Sequence, residues 1–169
     1  MPKSIKVGDE APDFSLVSQT GETVKLGDIL ANREVVLYFY PKDNTPGCTT
    51  EAHAFRDGYE AFKEMGAEVI GVSSDSVHSH RDFATKCGLP FSILSDEGGK
   101  LRKLYGVPSS LGFLPGRVTY IIDKRRKVRH IFASQMNPSR HVDEAMKVLK
   151  SIKEERQSEP IGPTAERVT

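Results

Sequence analysis

The chain has 169 residues, 37% of them hydrophobic and 28% charged, which fits one globular domain able to bury a core without disulfides or metals. Lys plus Arg number 24 against 23 Asp plus Glu, a formal charge of +1, so nothing draws the chain as a whole to nucleic acid. No run approaches the roughly 18 apolar residues of a membrane helix. The start MPKSIKVGDEAPDF lacks a signal-peptide core, so the interior of a cell is expected, either cytoplasm or an organelle such as a plastid after loss of a transit peptide.

In chain order, Phe14 to Val17 and Thr23 to Leu26 flank a turn at Thr20-Gly21 and read as an N-terminal β-hairpin at an edge. Glu34 to Pro41, EVVLYFYP, is apolar on both faces, the pattern of a strand buried between layers, and is expected at the centre of the sheet. A Pro- and Gly-bearing loop follows, then a helical pattern from Cys48 to Met65 with Ala54, Tyr59, Phe62 and Met65 recurring, closed by Gly66. Ala67 to Ser73 reads as a strand, Val77 to Cys87 as a helix, Phe91 to Leu94 as a strand and Gly98 to Tyr105 as a short helix. This alternation predicts parallel pairing with right-handed crossovers. Val118 to Ile122 and Val128 to Ala133 predict an antiparallel hairpin, and Val142, Ala145, Met146, Leu149 and Ile152 mark one face of a closing helix from Pro138 to Glu155. The expected class is α/β, a thioredoxin-like fold whose central mixed sheet is flanked by helices. Residues 1–156 form the domain, and 157–169, with two prolines and little to bury, a flexible tail.

The two cysteines, Cys48 and Cys87, are too few for a disulfide scaffold and lack zinc-site spacing. Cys48 sits after a buried strand and a loop holding Pro46 and Gly47, at the start of a helix. Unpaired N–H groups and the helix dipole favour a thiolate there, and the thiolate is the nucleophile. Thr45, three residues earlier, lies within hydroxyl reach of the sulfur or of an oxygen bound beside it. Pro41 stiffens the strand exit and shields the pocket.

The segment YPKDNTPGCTTEAHAF resembles the active-site loop of peroxiredoxins, whose Pro-x-x-x-Thr-x-x-Cys motif is met by Pro41, Thr45 and Cys48, with Glu51 as a supporting residue. FRDGYEAF, LPFSILSDEGGKLRKLYGVP and LPGRVTYIIDK extend the resemblance toward the peroxiredoxin Q group, also called bacterioferritin comigratory proteins, from about Val7 to Lys153. The resemblance implies a thiol-dependent peroxidase in which Cys48 attacks hydrogen peroxide or an organic hydroperoxide and becomes a sulfenic acid. It implies that Arg117 is the second-site arginine, that no metal or other cofactor takes part, that a thioredoxin-type dithiol supplies electrons, and that the chain acts as a monomer. A redox-sensing module of the same fold is the alternative.

How the sulfenic acid returns to thiol stays open. Many relatives carry a resolving cysteine five residues after the peroxidatic one, where this chain has His53. Cys87 is the internal candidate, an external thiol the other, and an intermolecular bridge the third. A Cys48 to Cys87 disulfide requires Cα atoms within about 7 Å, and so local unwinding. His53 lies off the face of Cys48, and His78 and His80 are expected in solvent without a metal-binding cluster. The run Lys124 to Lys127, KRRK, is expected as a solvated turn.

Overall fold

The computed structural model describes residues 5–110 and 114–158. In chain order they form β1 (Ser15–Ser18), β2 (Thr23–Lys25), α1 (Leu26–Leu30), β3 (Glu34–Phe39), α2 (Pro46–Glu64), β4 (Ala67–Ser73), α3 (Val77–Cys87) and β5 (Ser92–Ser95). A 3-10 turn (Glu97–Gly99) leads into α4 (Lys100–Tyr105), the two-residue strands β6 (Ser109–Ser110) and β7 (Leu114–Pro115), then β8 (Val118–Ile122), β9 (Val128–Ala133) and α5 (Arg140–Ser158). Seven strands make one mixed sheet in the order β2-β1-β5-β4-β3-β8-β9, and β6 pairs with β7 apart from it.

Every residue of β3 is buried, and successive residues enter different cores. Val36 and Tyr38 pack with Ala52, Phe55 and Phe62 of α2, Phe83 and Cys87 of α3, and Ala145 and Leu149 of α5. Val35, Leu37 and Phe39 pack with Leu26 and Leu30 of α1, Leu101 and Tyr105 of α4, and Tyr120 of β8. The period-2 alternation of a strand thus fills both faces, giving three layers with the site on the α2 side. β3 pairs parallel with β4 and antiparallel with β8. The crossover helix α2 therefore has to start at the C-terminal end of β3, beside the N-terminal end of β8.

The strands, α3 and the edge hairpin fall where the sequence places them, and β4 rather than β3 is the middle strand. The one-turn helix α1 and the β6–β7 ladder escape sequence reading because neither spans a full hydrophobic period. The helix α5 continues to Ser158, and residues 159–169 of the expected tail lie outside the described residues. No described helix is long and apolar enough to cross a membrane.

Candidate active site

The site begins with how α2 starts. Thr45 is the N-cap, with extended backbone (φ −89°, ψ 153°), and Pro46 follows at the first helical position, where its missing N–H costs nothing. The first backbone bond of the helix runs from the Thr49 N–H to the Thr45 carbonyl at 2.8 Å. The N–H groups of Gly47 and Cys48, the two residues before Thr49, have no partner within the helix. Cys48 is only 1% exposed, with these donors and the positive end of the dipole around it.

The loop before α2 is tied down by Asp43, which is itself buried. Its N–H donates to Asp75 (2.8 Å), and its carboxylate accepts from the Tyr40 hydroxyl (2.7 Å), the Ser79 hydroxyl (2.8 Å) and Nδ1 of His80 (2.7 Å). Nε2 of His80 donates to the Leu94 carbonyl at 2.9 Å. His80 is therefore fully buried, against the expectation that it faces solvent: Ser76 caps α3, and that start turns His80 inward onto Asp43. Asp43, Asp75 and His80 bring one potential ligand atom each within 4.8 Å of one another, and protein hydrogen bonds already hold all three side chains. The cluster is a structural clamp.

Arg117 reaches the site from the start of β8, with Nη2 3.4 Å from Sγ of Cys48 and Nη1 2.5 Å from Oε1 of Glu51. All three side chains are buried. Gly47 makes room for this fork, since a Cβ there would stand 2.9 Å from Nη2. Burial works against the Arg117 charge, but Glu51 and Cys48 outweigh it and hold its pKa above the ordinary value. Burial pushes Glu51 up to about 8 despite Arg117, so its carboxyl stays largely protonated at neutral pH.

Beyond Glu51 lies His141 of α5, with Nδ1 3.5 Å from Oε2. Nε2 of His141 donates to the Ser134 carbonyl at 2.9 Å, and Nδ1 meets the Thr119 hydroxyl at 2.7 Å. A carbonyl can only accept, so the proton of the neutral ring sits on Nε2 and Nδ1 presents its lone pair. Burial, with Arg117 adding to it, lowers His141 to about 4.

A second buried arginine, Arg102 of α4, donates to the Tyr40 carbonyl (2.7 Å) and the Gly116 carbonyl (3.0 Å). It thereby ties the residue before Pro41 to the residue before Arg117. Burial lowers its pKa, opposed by Asp96 and Cys48. The Thr45 hydroxyl donates to the Lys42 carbonyl at 2.8 Å, which leaves its lone pairs as the group it can offer a ligand.

The structure brings Cys48, Arg117 and Glu51 together, and places Pro41 and Thr45 on the loop beside them. Cys87 stands apart. It is the last residue of α3, buried, and its carbonyl accepts from the Arg56 guanidinium at 2.8 Å. Arg56 is eight residues beyond Cys48, about 12 Å along a helix, and both cysteines are free, buried thiols in this state. Burial raises the Cys87 thiol. Sequence reading missed Arg102, His141 and the Asp43–His80 clamp, whose partners come from distant segments; only the alignment of His141 with Ala145 and Leu149 on one helical face hinted that it is buried.

The sequence matches the AhpC/TSA family model over residues 7–131. It is 53% identical over 148 residues to the chloroplastic peroxiredoxin Q of Arabidopsis thaliana, covering 87% of this chain and 68% of that protein. Among solved structures, peroxidoxin BcpB of Mycobacterium tuberculosis superposes with a TM-score of 0.82 at 38% identity, over 88% of this chain and 98% of that one. A Xanthomonas campestris bacterioferritin comigratory protein, described for its alkyl peroxide reduction activity, does so with a TM-score of 0.76 at 31% identity, over 83% and 92%. With a thioredoxin fold and Cys48 in the position of the peroxidatic cysteine, the chain belongs to the AhpC/TSA family as a thiol-dependent peroxidase of the peroxiredoxin Q group, acting on peroxide with a thioredoxin-type reductant.

Proposed function

We propose that Cys48 is the nucleophile of this peroxidase and that Arg117, Thr45, Pro41 and Glu51 prepare it. The observation that carries the reading is the 3.4 Å approach of the Arg117 guanidinium to Sγ at a helix N-terminus. The thiolate attacks one peroxide oxygen. As the S–O bond forms, the O–O bond breaks, and the departing hydroxide or alkoxide takes a proton to leave as water or alcohol. Charge moves from sulfur to the departing oxygen, and Arg117 with the free N–H groups of Gly47 and Cys48 offers donors along that path. Thr45, its own proton committed to Lys42, accepts from the hydroperoxide O–H, and Pro41 walls the pocket. All these groups come from one chain, which supports a working monomer. The activity described for the Xanthomonas campestris relative supports organic hydroperoxides as substrates, and the chloroplastic relatives support a plastid interior.

Cys87 then attacks the Cys48 sulfenic acid, forming a disulfide and releasing water, and the dithiol reductant restores both thiols. The first turns of α2 have to unwind for this, and the last turn of α3 ends on the left-handed Gly88, a natural place to fray. Peptide mass spectrometry after one equivalent of peroxide tests the cycle. A Cys48–Cys87 crosslink is expected; a persistent Cys48 sulfenic acid, or a bridge between chains, would remove Cys87 from it.

A further inference from the structure

The ladder between β3 and β8 ends at Phe39 opposite Val118, just short of the site. Beyond it, Pro41 has no N–H with which to continue the pairing. The extensions of the two strands are tied outward, to different neighbours: the Tyr40 N–H donates to the Val72 carbonyl of β4 at 3.0 Å, and the Arg117 carbonyl accepts from the Ser134 N–H at 3.2 Å. Arg102 joins these extensions to each other. Its Nη2 donates to the Tyr40 carbonyl at 2.7 Å and its Nη1 to the Gly116 carbonyl at 3.0 Å. Tyr40 leads through Pro41 into the loop of Cys48, and Gly116 directly precedes Arg117. The spacing that Arg102 fixes is thus the one between that loop and the arginine whose Nη2 lies 3.4 Å from the sulfur.

The link is rigid. A guanidinium is planar, with its two Nη atoms at a fixed separation, so both carbonyls are held at one distance from each other. Arg102 is 7% exposed, and its guanidinium carbon lies 5.8 Å from the centre of the Phe39 ring. Gly116 is pressed so closely against the Pro108 carbonyl that a Cβ there would clash, which leaves this segment little room to shift. The nearby Asp96 carboxylate is taken up by the backbone N–H groups of Leu101 (3.0 Å) and Arg102 (2.9 Å). Holding a buried cation on neutral carbonyls is costly. Burial lowers the Arg102 pKa, while Asp96 and then Cys48 raise it, so a thiolate at Cys48 steadies the buried charge.

We propose that Arg102 is a positioning residue for the attack on peroxide, acting through Arg117: it takes over where the β3–β8 ladder stops and holds the Arg117 guanidinium on the Cys48 sulfur. The inference rests on Cys48 being the peroxidatic residue.

The test is the rate of Cys48 sulfenic acid formation against pH, in full-length protein carrying Cys87→Ser so that one thiol reacts. Arg102→Met, which fills the space without either bond, is expected to slow it about 10- to 100-fold at neutral pH, the order of loss that a small misplacement brings. The midpoint of the pH profile is expected to rise, because Arg117 drawn off the sulfur no longer favours the thiolate. The groups around it otherwise stay as they are: Tyr38 of β3, Tyr120 of β8 and His141 of α5 are kept neutral by burial, and the acids are Glu51, largely protonated, Asp43 on the loop and Asp96 before α4. Arg117→Ala with Arg102→Met is expected to react within about twofold of Arg117→Ala alone, whereas losses at independent sites multiply. A folded Arg102→Met protein with the parent rate, an unmoved midpoint, or losses that multiply in the double variant would overturn the proposal. Should the methionine protein fail to fold, Arg102→Lys decides, since an ammonium keeps the charge but not the two fixed bonds: a slower rate with a raised midpoint is expected, and the parent rate overturns the proposal. A Cys48→Ser protein that still consumes peroxide would instead remove the underlying reading, so either can fail alone.

Discussion

A nitrogen of Arg117 lies 3.4 Å from the sulfur of Cys48, although 69 positions separate the two in the chain. The antiparallel β3–β8 pairing makes this contact, since Phe39 at the end of β3 faces Val118 at the start of β8. The fork bridges Cys48 and Glu51 together, and a lysine has one ammonium with which to do the same. Arg117→Ala is expected to slow sulfenic acid formation by about 100- to 1,000-fold, the usual loss for a transition-state donor. Arg117→Lys should recover part of that. Stopped-flow oxidation of Cys48 measures both.

Breaking a buried ion pair commonly costs about 3–5 kcal/mol because a charge is left stranded. Glu51, pushed up to about 8, can stay protonated instead. Arg117→Ala is therefore expected to cost nearer the roughly 1–3 kcal/mol of lost buried hydrogen bonds, read from urea unfolding at neutral pH.

The Glu51 carboxyl also sets a pH dependence of folding. Its folded pKa is raised, from 4.5 to about 8, so the folded state holds a proton that the unfolded state has released. Stability from this group is fully present below pH 4.5 and is lost as pH rises to about 8. Glu51→Gln removes that slope. Unfolding midpoints compared across this window should shift in favour of the glutamine protein as pH rises, with an upper bound of about 5 kcal/mol.

Asp43 holds the loop that aims Cys48. Asp43→Ala strands three donors, from Tyr40, Ser79 and His80, each in the interior. The expected cost is about 3–5 kcal/mol, a fall in thermal midpoint of roughly 10 °C for a chain of this size. Peroxide reaction should slow as well, because the start of α2 loses its tether to α3. A thermal melt with a parallel rate measurement checks both.

Local chemistry wrote much of this site into the sequence. The unbroken apolar run of β3 and the Pro46-Gly47-Cys48 start of α2 are short-range patterns, and they place the thiol correctly. Arg117 needed the family motif, because nothing local says that residues 48 and 117 meet. Arg102, His141 and His80 were out of reach: each is a polar residue whose partners come from other segments, and sequence alone favours solvent for such residues. Burial reverses that preference only where distant donors and acceptors converge, as Asp43 does for His80.

Steady-state peroxide consumption by Cys48→Ser, with thioredoxin and its reductase present and the fold checked by circular dichroism, tests the central claim most directly. Turnover is expected to vanish while the fold is retained. A folded Cys48→Ser protein that consumes peroxide at the parent rate would contradict the assignment of Cys48 as the attacking residue.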